Sequence, residues 1–184
     1  MIKQVVIETQ RLLLRRWQES DLDVFMLMNT DPDVMHYFPD TLNAEETKSF
    51  YDSIQQEISE YGYGLYAVEE KDSGCFIGFI GFHWASFEAD FCPCVEIGWR
   101  LDKRYWDKGY ATEGAKACLK HGFENLAFDE VVSFTAVKNA PSQRVMQKIG
   151  MQFQGYFDHP KVSMDHPLRS HVLYRINKDN YMLQ

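Results

Sequence analysis

One segment of this 184-residue chain stands out for the chemistry its residue types allow: Glu96-Ile97-Gly98-Trp99-Arg100-Leu101-Asp102-Lys103-Arg104-Tyr105-Trp106-Asp107-Lys108-Gly109-Tyr110-Ala111-Thr112-Glu113. A strand is expected to end at Leu101. A short loop then carries Lys103, Arg104 and Lys108, and Gly109 stands before a helix that opens at Tyr110 to Thr112. The first N–H groups of a helix lack partners inside it and sit at the positive end of its dipole. A glycine lets such groups approach an anion closely, so the spacing fits a pyrophosphate cradle. It also fits a plain turn with solvated cations, and spacing alone leaves both readings open. Two other phosphate motifs fail. There is no G-x-x-x-x-G-K-[ST], and Gly62-Tyr63-Gly64-Leu65-Tyr66-Ala67 matches G-x-G-x-x-A only by letters. It follows an expected helix and precedes an expected strand, the reverse of the dinucleotide-binding order, so it reads as a helix stop.

Other reactive types are scattered. Asp158 to His171 repeats Asp-His-Pro and brings His159, His166 and His171 near the last expected strand, either lining a pocket or capping turns. His83, on an expected strand, is a further pocket candidate or a packed side chain. Cys92-Pro93-Cys94 has one intervening residue, too few for the usual zinc spacing, and a disulfide across it would be strained. Cys118 and His121 are three apart on a helix, but a Cys₃His site would need two elements to meet, so no metal is expected and the thiols are read as buried. The aromatic residues, 15% of the chain, are read as mostly core, with some at an acceptor groove.

The elements that would position these groups follow from periodicity. A strand is expected over Ile7 to Trp17. Ser20 and Asp31-Pro32 read as helix starts. Asn43 with Glu46 opens a helix whose Phe50, Ile54 and Ile58 form a buried stripe, stopped by Gly62 and Gly64. Leu65 to Val68, Cys75 to Trp84 and Cys94 to Leu101 read as antiparallel strands around the Lys71-Asp72-Ser73-Gly74 turn. A helix over Tyr110 to Ala127, a strand over Val131 to Val137, a helix over Ser142 to Ile149 and strands over Met151 to Phe157 and Leu168 to Ile176 complete an α/β chain with a mixed sheet. With no linker, repeat or low-complexity tract, one domain over 1–184 is expected.

Composition narrows the class. Nineteen Lys+Arg against twenty-seven Asp+Glu give a net charge of −8, which argues against a protein that coats nucleic acid or anionic lipid. An acidic chain fits a cationic partner, although excess acid also serves solubility. No signal peptide or membrane-spanning stretch is visible. Four cysteines are too few for a disulfide scaffold, so a soluble cytoplasmic protein is expected.

Trp106-Asp107-Lys108-Gly109-Tyr110-Ala111 resembles the [QR]-x-x-G-x-[GA] acetyl-CoA loop of the GNAT N-acetyltransferase superfamily, with Trp106 in place of Gln or Arg, as in the branch containing the ribosomal-protein-alanine N-acetyltransferases. Ile7-Glu8-Thr9-Gln10-Arg11-Leu12-Leu13-Leu14-Arg15, Glu96-Ile97-Gly98-Trp99 and Asn139-Ala140-Pro141-Ser142-Gln143-Arg144-Val145-Met146-Gln147-Lys148-Ile149-Gly150-Met151 are similar to other elements of that branch. The resemblance covers nearly the whole chain. It implies the GNAT fold: a mixed, mostly antiparallel central sheet, helices on both faces, and strands splayed at the cofactor. It implies acetyl-CoA as co-substrate, with Trp99, Leu101, Trp106, Lys108, Gly109, Tyr110, Ala111, Thr112, Asn139 and Ser142 toward the cofactor.

The implied reaction is direct attack of a primary amine on the thioester. The amine is a protein N-terminus or a small molecule. Glu96 is the candidate base, unless it pairs with Arg100. Ser142 is the candidate thiolate-side group, or a helix N-cap, or both. Tyr110 or Tyr174 could serve as acid instead, and His83, His159 and His166 are candidates for the acceptor side. Rival readings are a non-catalytic acyl-CoA sensor on the same fold and an ATP-binding protein using the same loop. The acceptor and the oligomeric state, a homodimer included, stay open.

Overall fold

The computed structural model describes residues 4–183; residues 1–3, on which the signal-peptide expectation partly falls, and residue 184 lie outside them. Eight strands form one sheet: β1 (Val5–Glu8), β2 (Leu12–Arg15), β3 (Leu65–Glu70), β4 (Phe76–Ala85), β5 (Cys94–Leu101), β6 (Glu130–Ala136), β7 (Gln152–Asp158) and β8 (Ser170–Asn177), in the spatial order β1-β2-β3-β4-β5-β6-β8-β7. Every neighbouring pair is antiparallel except β5 and β6, which run parallel. Five helices accompany them: α1 (Leu22–Thr30), α2 (Ala44–Tyr61), α3 (Tyr110–Glu124), α4 (Ala140–Lys148) and α5 (Lys178–Met182).

Strand alternation divides the core into two layers. Tyr66, Val68, Ile80, Phe82 and Ile97 face α3 and α4, packing on Ala115, Cys118, Leu119, Phe123 and Met146. Leu65, Ala67 and Phe79 face the other way, onto Phe25 and Met28 of α1 and Ile54 and Ile58 of α2, with Trp17 beside them. Helices therefore cover both faces, as the resemblance implies.

Several boundaries differ from the sequence reading. The strand expected over Ile7 to Trp17 is a hairpin, β1 and β2. Thr9 reverses the chain there: its N–H donates to the Leu12 carbonyl, and its Oγ1 accepts the Leu12 N–H at 2.9 Å. Ser20 sits within a short 3₁₀ turn that Gln18 caps. Asp31 starts turns rather than a helix, accepting the Asp33 N–H at 2.9 Å. Asn43 and Glu46 do make a reciprocal cap, and Gly62 (φ +77°) stops α2. α4 begins at Ala140, because Asn139 caps it by accepting the Ser142 N–H at 3.2 Å. Cys118 is buried, but Cys75 is exposed, and Cys92 and Cys94 are half-buried.

Beneath β2 lies a buried ion network. Arg15 donates through both terminal nitrogens to Asp21, at 2.7 and 2.8 Å, and through Nε to Glu69, at 2.9 Å. All three residues are at most 3% exposed. Asp21→Ala would strand the guanidinium with one of its two carboxylates gone, and the expected loss is about 3–5 kcal/mol, read as a lowered denaturant midpoint at unchanged slope.

Candidate active site

Among the described residues, the only parallel pair of the sheet is also its shortest. β5 and β6 are in register at one position, Glu96 opposite Val132. Ser133, 2% exposed, donates from Oγ to the Ile97 carbonyl at 2.9 Å. Beyond that bond the strands part, while β5 stays paired to β4 through Leu101 and β6 to β8 through Ala136. A wedge opens between two intact ladders.

The phosphate-type loop closes the wide end. Trp106 donates from its indole to the Leu101 carbonyl at 2.8 Å, which pins the loop to the strand end. Gly109 is the N-cap of α3 at φ +80°, a conformation that costs most side chains energy. The first helical bond runs from the Glu113 N–H to the Gly109 carbonyl at 3.0 Å. The N–H groups of Tyr110, Ala111 and Thr112 therefore have no acceptor within the helix. Of the loop cations, Lys103 is held by Asp31 and Asp33, each at 2.8 Å, and Arg104 by Asp102. Lys108 lies over the rings of Tyr105 and Tyr110 without a carboxylate among the described residues.

Across the wedge, Trp99 of β5 and Asn139 at the end of β6 meet on Ser142. The Trp99 indole donates to Ser142 Oγ at 3.3 Å and the Asn139 amide at 3.1 Å. The amide also donates to Thr135 Oγ1 at 2.9 Å. With Asn139 as the cap, Ser142 is released from that role. Its oxygen receives two donors and its own proton remains to be given. Tyr110, by contrast, commits its O–H to Glu70, and that bond raises its pKa. Tyr174 accepts from Gln147 at 3.1 Å.

Glu96 is on the opposite face of β5, toward α2. The alternative ion pair with Arg100 is not made: no carboxylate among the described residues pairs with Arg100, whose Nη1 donates to Asn29 at 2.6 Å. The cross-strand neighbour of Glu96 is His83. Burial pushes the Glu96 carboxyl up to about 7, against the attraction of His83, although it keeps a strip of solvent contact. His83 in turn bonds Glu57 of α2 at 2.9 Å, which raises its pKa. Phe50, Glu57, Glu60, Tyr61, His83 and Trp84 border a groove of about 240 Å³ between α2 and β4. The other two candidates, His159 and His166, lie in the chain between β7 and β8, whose Lys161 also bears on Glu96 and His83. His159 packs among Phe87, Phe134 and Phe157, and burial, with His171 and Lys161 nearby, lowers its pKa to about 4. His166 caps a turn, its Nδ1 accepting the Leu168 N–H at 3.2 Å. Among the described residues no three His, Cys, Asp or Glu side chains gather as metal ligands, and no helix is long and apolar enough to cross a membrane.

A family model described as an acetyltransferase (GNAT) domain matches residues 11–152. The chain is a GNAT acetyltransferase. This acetyltransferase is 34% identical over 152 residues to the uncharacterized N-acetyltransferase YnaD of Bacillus subtilis (strain 168), across 82% of this chain and 85% of that one. It superposes on the GNAT-family acetyltransferase from Bacillus anthracis with a TM-score of 0.78 at 29% identity, covering 94% and 98% of the two chains. It shares its fold with spermidine N-acetyltransferase from Vibrio cholerae, solved with CoA and spermine (TM-score 0.73, 17% identity, 95% and 99% covered). The enzyme is an acetyl-CoA-dependent acetyltransferase.

The residues present suit that co-substrate. Three free helix N–H groups and a glycine in the left-handed region form a cradle for a diphosphate, and Glu96 lies five residues up the strand from Leu101. At about 3.3 Å per residue that is roughly 17 Å, so the phosphate end and the reacting end demand a long arm between them. Two supports escaped the sequence reading. Arg11, in the β1–β2 turn, donates to the Lys108 carbonyl at 2.9 Å, grips Glu113 of α3 at 2.6 Å and stacks 4.5 Å over Tyr110. Ser133 seals the apex. Arg11 lies in a segment similar to the family's first strand, but nothing local to it names its partner 97 residues away.

A methyl group on Gly109 would meet nothing nearer than Arg11 Nη2 at 3.6 Å, so Gly109→Ala tests backbone geometry rather than collision. Holding alanine left-handed costs about 1–2 kcal/mol. Acetyl-CoA affinity, measured by calorimetry, is expected to fall about tenfold.

Proposed function

We propose that the enzyme transfers the acetyl group of acetyl-CoA to a primary amine by direct attack within a ternary complex. The observation that carries this reading is the parting of β5 from β6, with Glu96 at the last paired position and Ser142 across the gap. Tyr110, Ala111 and Thr112 N–H groups with Lys108 hold the diphosphate. Leu101 and Asn139, at the two strand ends, flank the pantetheine arm, and Trp99 lines it. The backbone N–H groups that β5 turns toward the gap beside Glu96, rather than those near Leu101, are the donors for the carbonyl oxygen as it gains charge.

An amine must shed a proton before it attacks, and a carboxylate whose pKa lies near neutrality is suited to take it. The ammonium gives one proton to Glu96, directly or through water. The neutral nitrogen bonds the thioester carbon, and the carbon–sulfur bond breaks. The second nitrogen proton reaches sulfur by way of the Ser142 hydroxyl, which ends as it began. Glu57, Glu60 and the rings of Tyr61 and Trp84 make the adjoining groove attractive to the incoming cation. An α-amino group, with a pKa of about 8, is easier to deprotonate than a lysine side chain.

Glu96→Gln is expected to lower kcat/KM by about 10²–10⁴-fold and Ser142→Ala by about 10–10²-fold, with CoA still bound in calorimetry. A sensor without catalysis would lose nothing measurable in thiol release, having none. The wild-type kcat/KM should rise with pH through about 7 and the Gln variant should lose that limb. Stability runs the other way. The folded pKa of Glu96 exceeds its unfolded value, so its contribution is full at acid pH and fades as pH climbs through about 7. Glu96→Gln should therefore melt with wild type at pH 4 and above it at pH 9, by up to about 3 kcal/mol.

A further inference from the structure

We propose that the acceptor is a small amino carboxylate whose carboxylate docks on Arg100 while its amine lies over Gly98 toward Glu96. The inference rests on the acetyl-transfer reading above and adds the second functional group of the acceptor.

Glu96, Gly98 and Arg100 alternate along β5 and share the face toward α1 and α2. Gly98 is midway, about 6.6 Å along the strand from each. Its backbone does not need glycine, since its φ is not in the left-handed region, and a Cβ built there meets no atom within 4 Å. The missing side chain thus leaves room between a carboxyl group and a guanidinium.

Arg100 is 91% buried, yet its charge has no counter-ion among the described residues. Nη1 bonds Asn29; Nε is covered and bonds nothing; Nη2 bonds nothing among the described residues. The rings of Phe38, Phe50 and Phe79 lie 4.2 to 5.6 Å from its central carbon. Rings offset part of the desolvation but accept no N–H. Burial accordingly lowers its pKa to about 9. The same chain shows what a structural buried arginine looks like: Arg15, three strands over on the sheet, has two carboxylates and all three nitrogens bonded. Arg100 keeps the Nε–Nη2 edge unused, and that edge is the fork that matches a carboxylate with two parallel bonds. Phe38, in the chain between α1 and α2, is the nearest of these rings and is 39% exposed.

The acetyl-CoA turnover of the full chain, followed as thiol release, decides the matter with matched acceptors: common amino acids and short peptides against the same molecules as C-terminal amides, with spermidine as a carboxylate-free amine. The free acids of one source, amino acid or peptide, are expected to exceed their amides at least tenfold in kcat/KM. Arg100→Met should reduce that ratio to about one, chiefly through KM. It should still melt cooperatively, since it removes a charge without a counter-ion and, with it, the bond to Asn29. N-acetylated products should raise the melting temperature of wild type and not of the variant. Equal or better turnover of amides or spermidine overturns the proposal even if Arg100→Met fails to fold, and so does acetyl-CoA binding with no acid acetylated. Failure of acetyl-CoA to bind in calorimetry overturns the acetyl-transfer reading itself.

Discussion

The structure turns on two neighbouring strands that stop pairing. Backbone N–H and C=O groups are obligatory hydrogen-bonding groups, and a sheet interior is a costly place to leave them unmatched. Here β5 and β6 meet at Glu96 and Val132 and then diverge, each still held by its outer neighbour. Ser133 closes the narrow end. A chain of amides threaded into the gap finds strand edges on both sides, the same physics that adds a peptide to a sheet edge. The parallel relation matters equally. It requires a crossover, and α3 is that crossover. Its N-terminus consequently opens just past the end of β5, so the anion cradle and the gap arise from one connection.

Charge is distributed unevenly across the sheet. The Arg15 network has every charge matched and serves the fold. Around Glu96 and Arg100 the matching is incomplete: a carboxyl whose ionisation burial opposes, and a guanidinium surrounded by rings. Such groups reduce stability and are retained where chemistry uses them. Residues two apart on one strand face form a linear array, so a strand can carry several such groups toward one ligand without any loop rearrangement.

Much of this was legible from sequence. The Gly109 turn, the Asn43–Glu46 cap and the β4–β5 hairpin all depend on residues close in the chain, and local chemistry determines them. What stayed hidden depends on distant partners. Ser142 reads as a cap of α4 or a thiolate-side group, and only the fold shows Asn139 taking the cap while the Trp99 indole reaches Ser142. Glu96 and Arg100 are four apart and opposite in charge, which suggested a pair. In the fold Glu96 has His83 as cross-strand neighbour, while Arg100 reaches α1. The β1–β2 hairpin was missed because Leu12-Leu13-Leu14 reads as a continuous strand, and the reversal depends on two hydrogen bonds of Thr9.

The grip of Arg11 on Lys108 and Glu113 places the rigidity of the Gly109 loop at the margin of the sheet, in a hairpin whose outer strand has a neighbour on one side only among the described residues. Margins open more readily than interiors, on a free-energy scale well below that of global unfolding. Each fraying of that hairpin loosens the loop's clamp while leaving the central ladder whole, so a coenzyme held as proposed would have its residence time set in part by the breathing of the Thr9 turn.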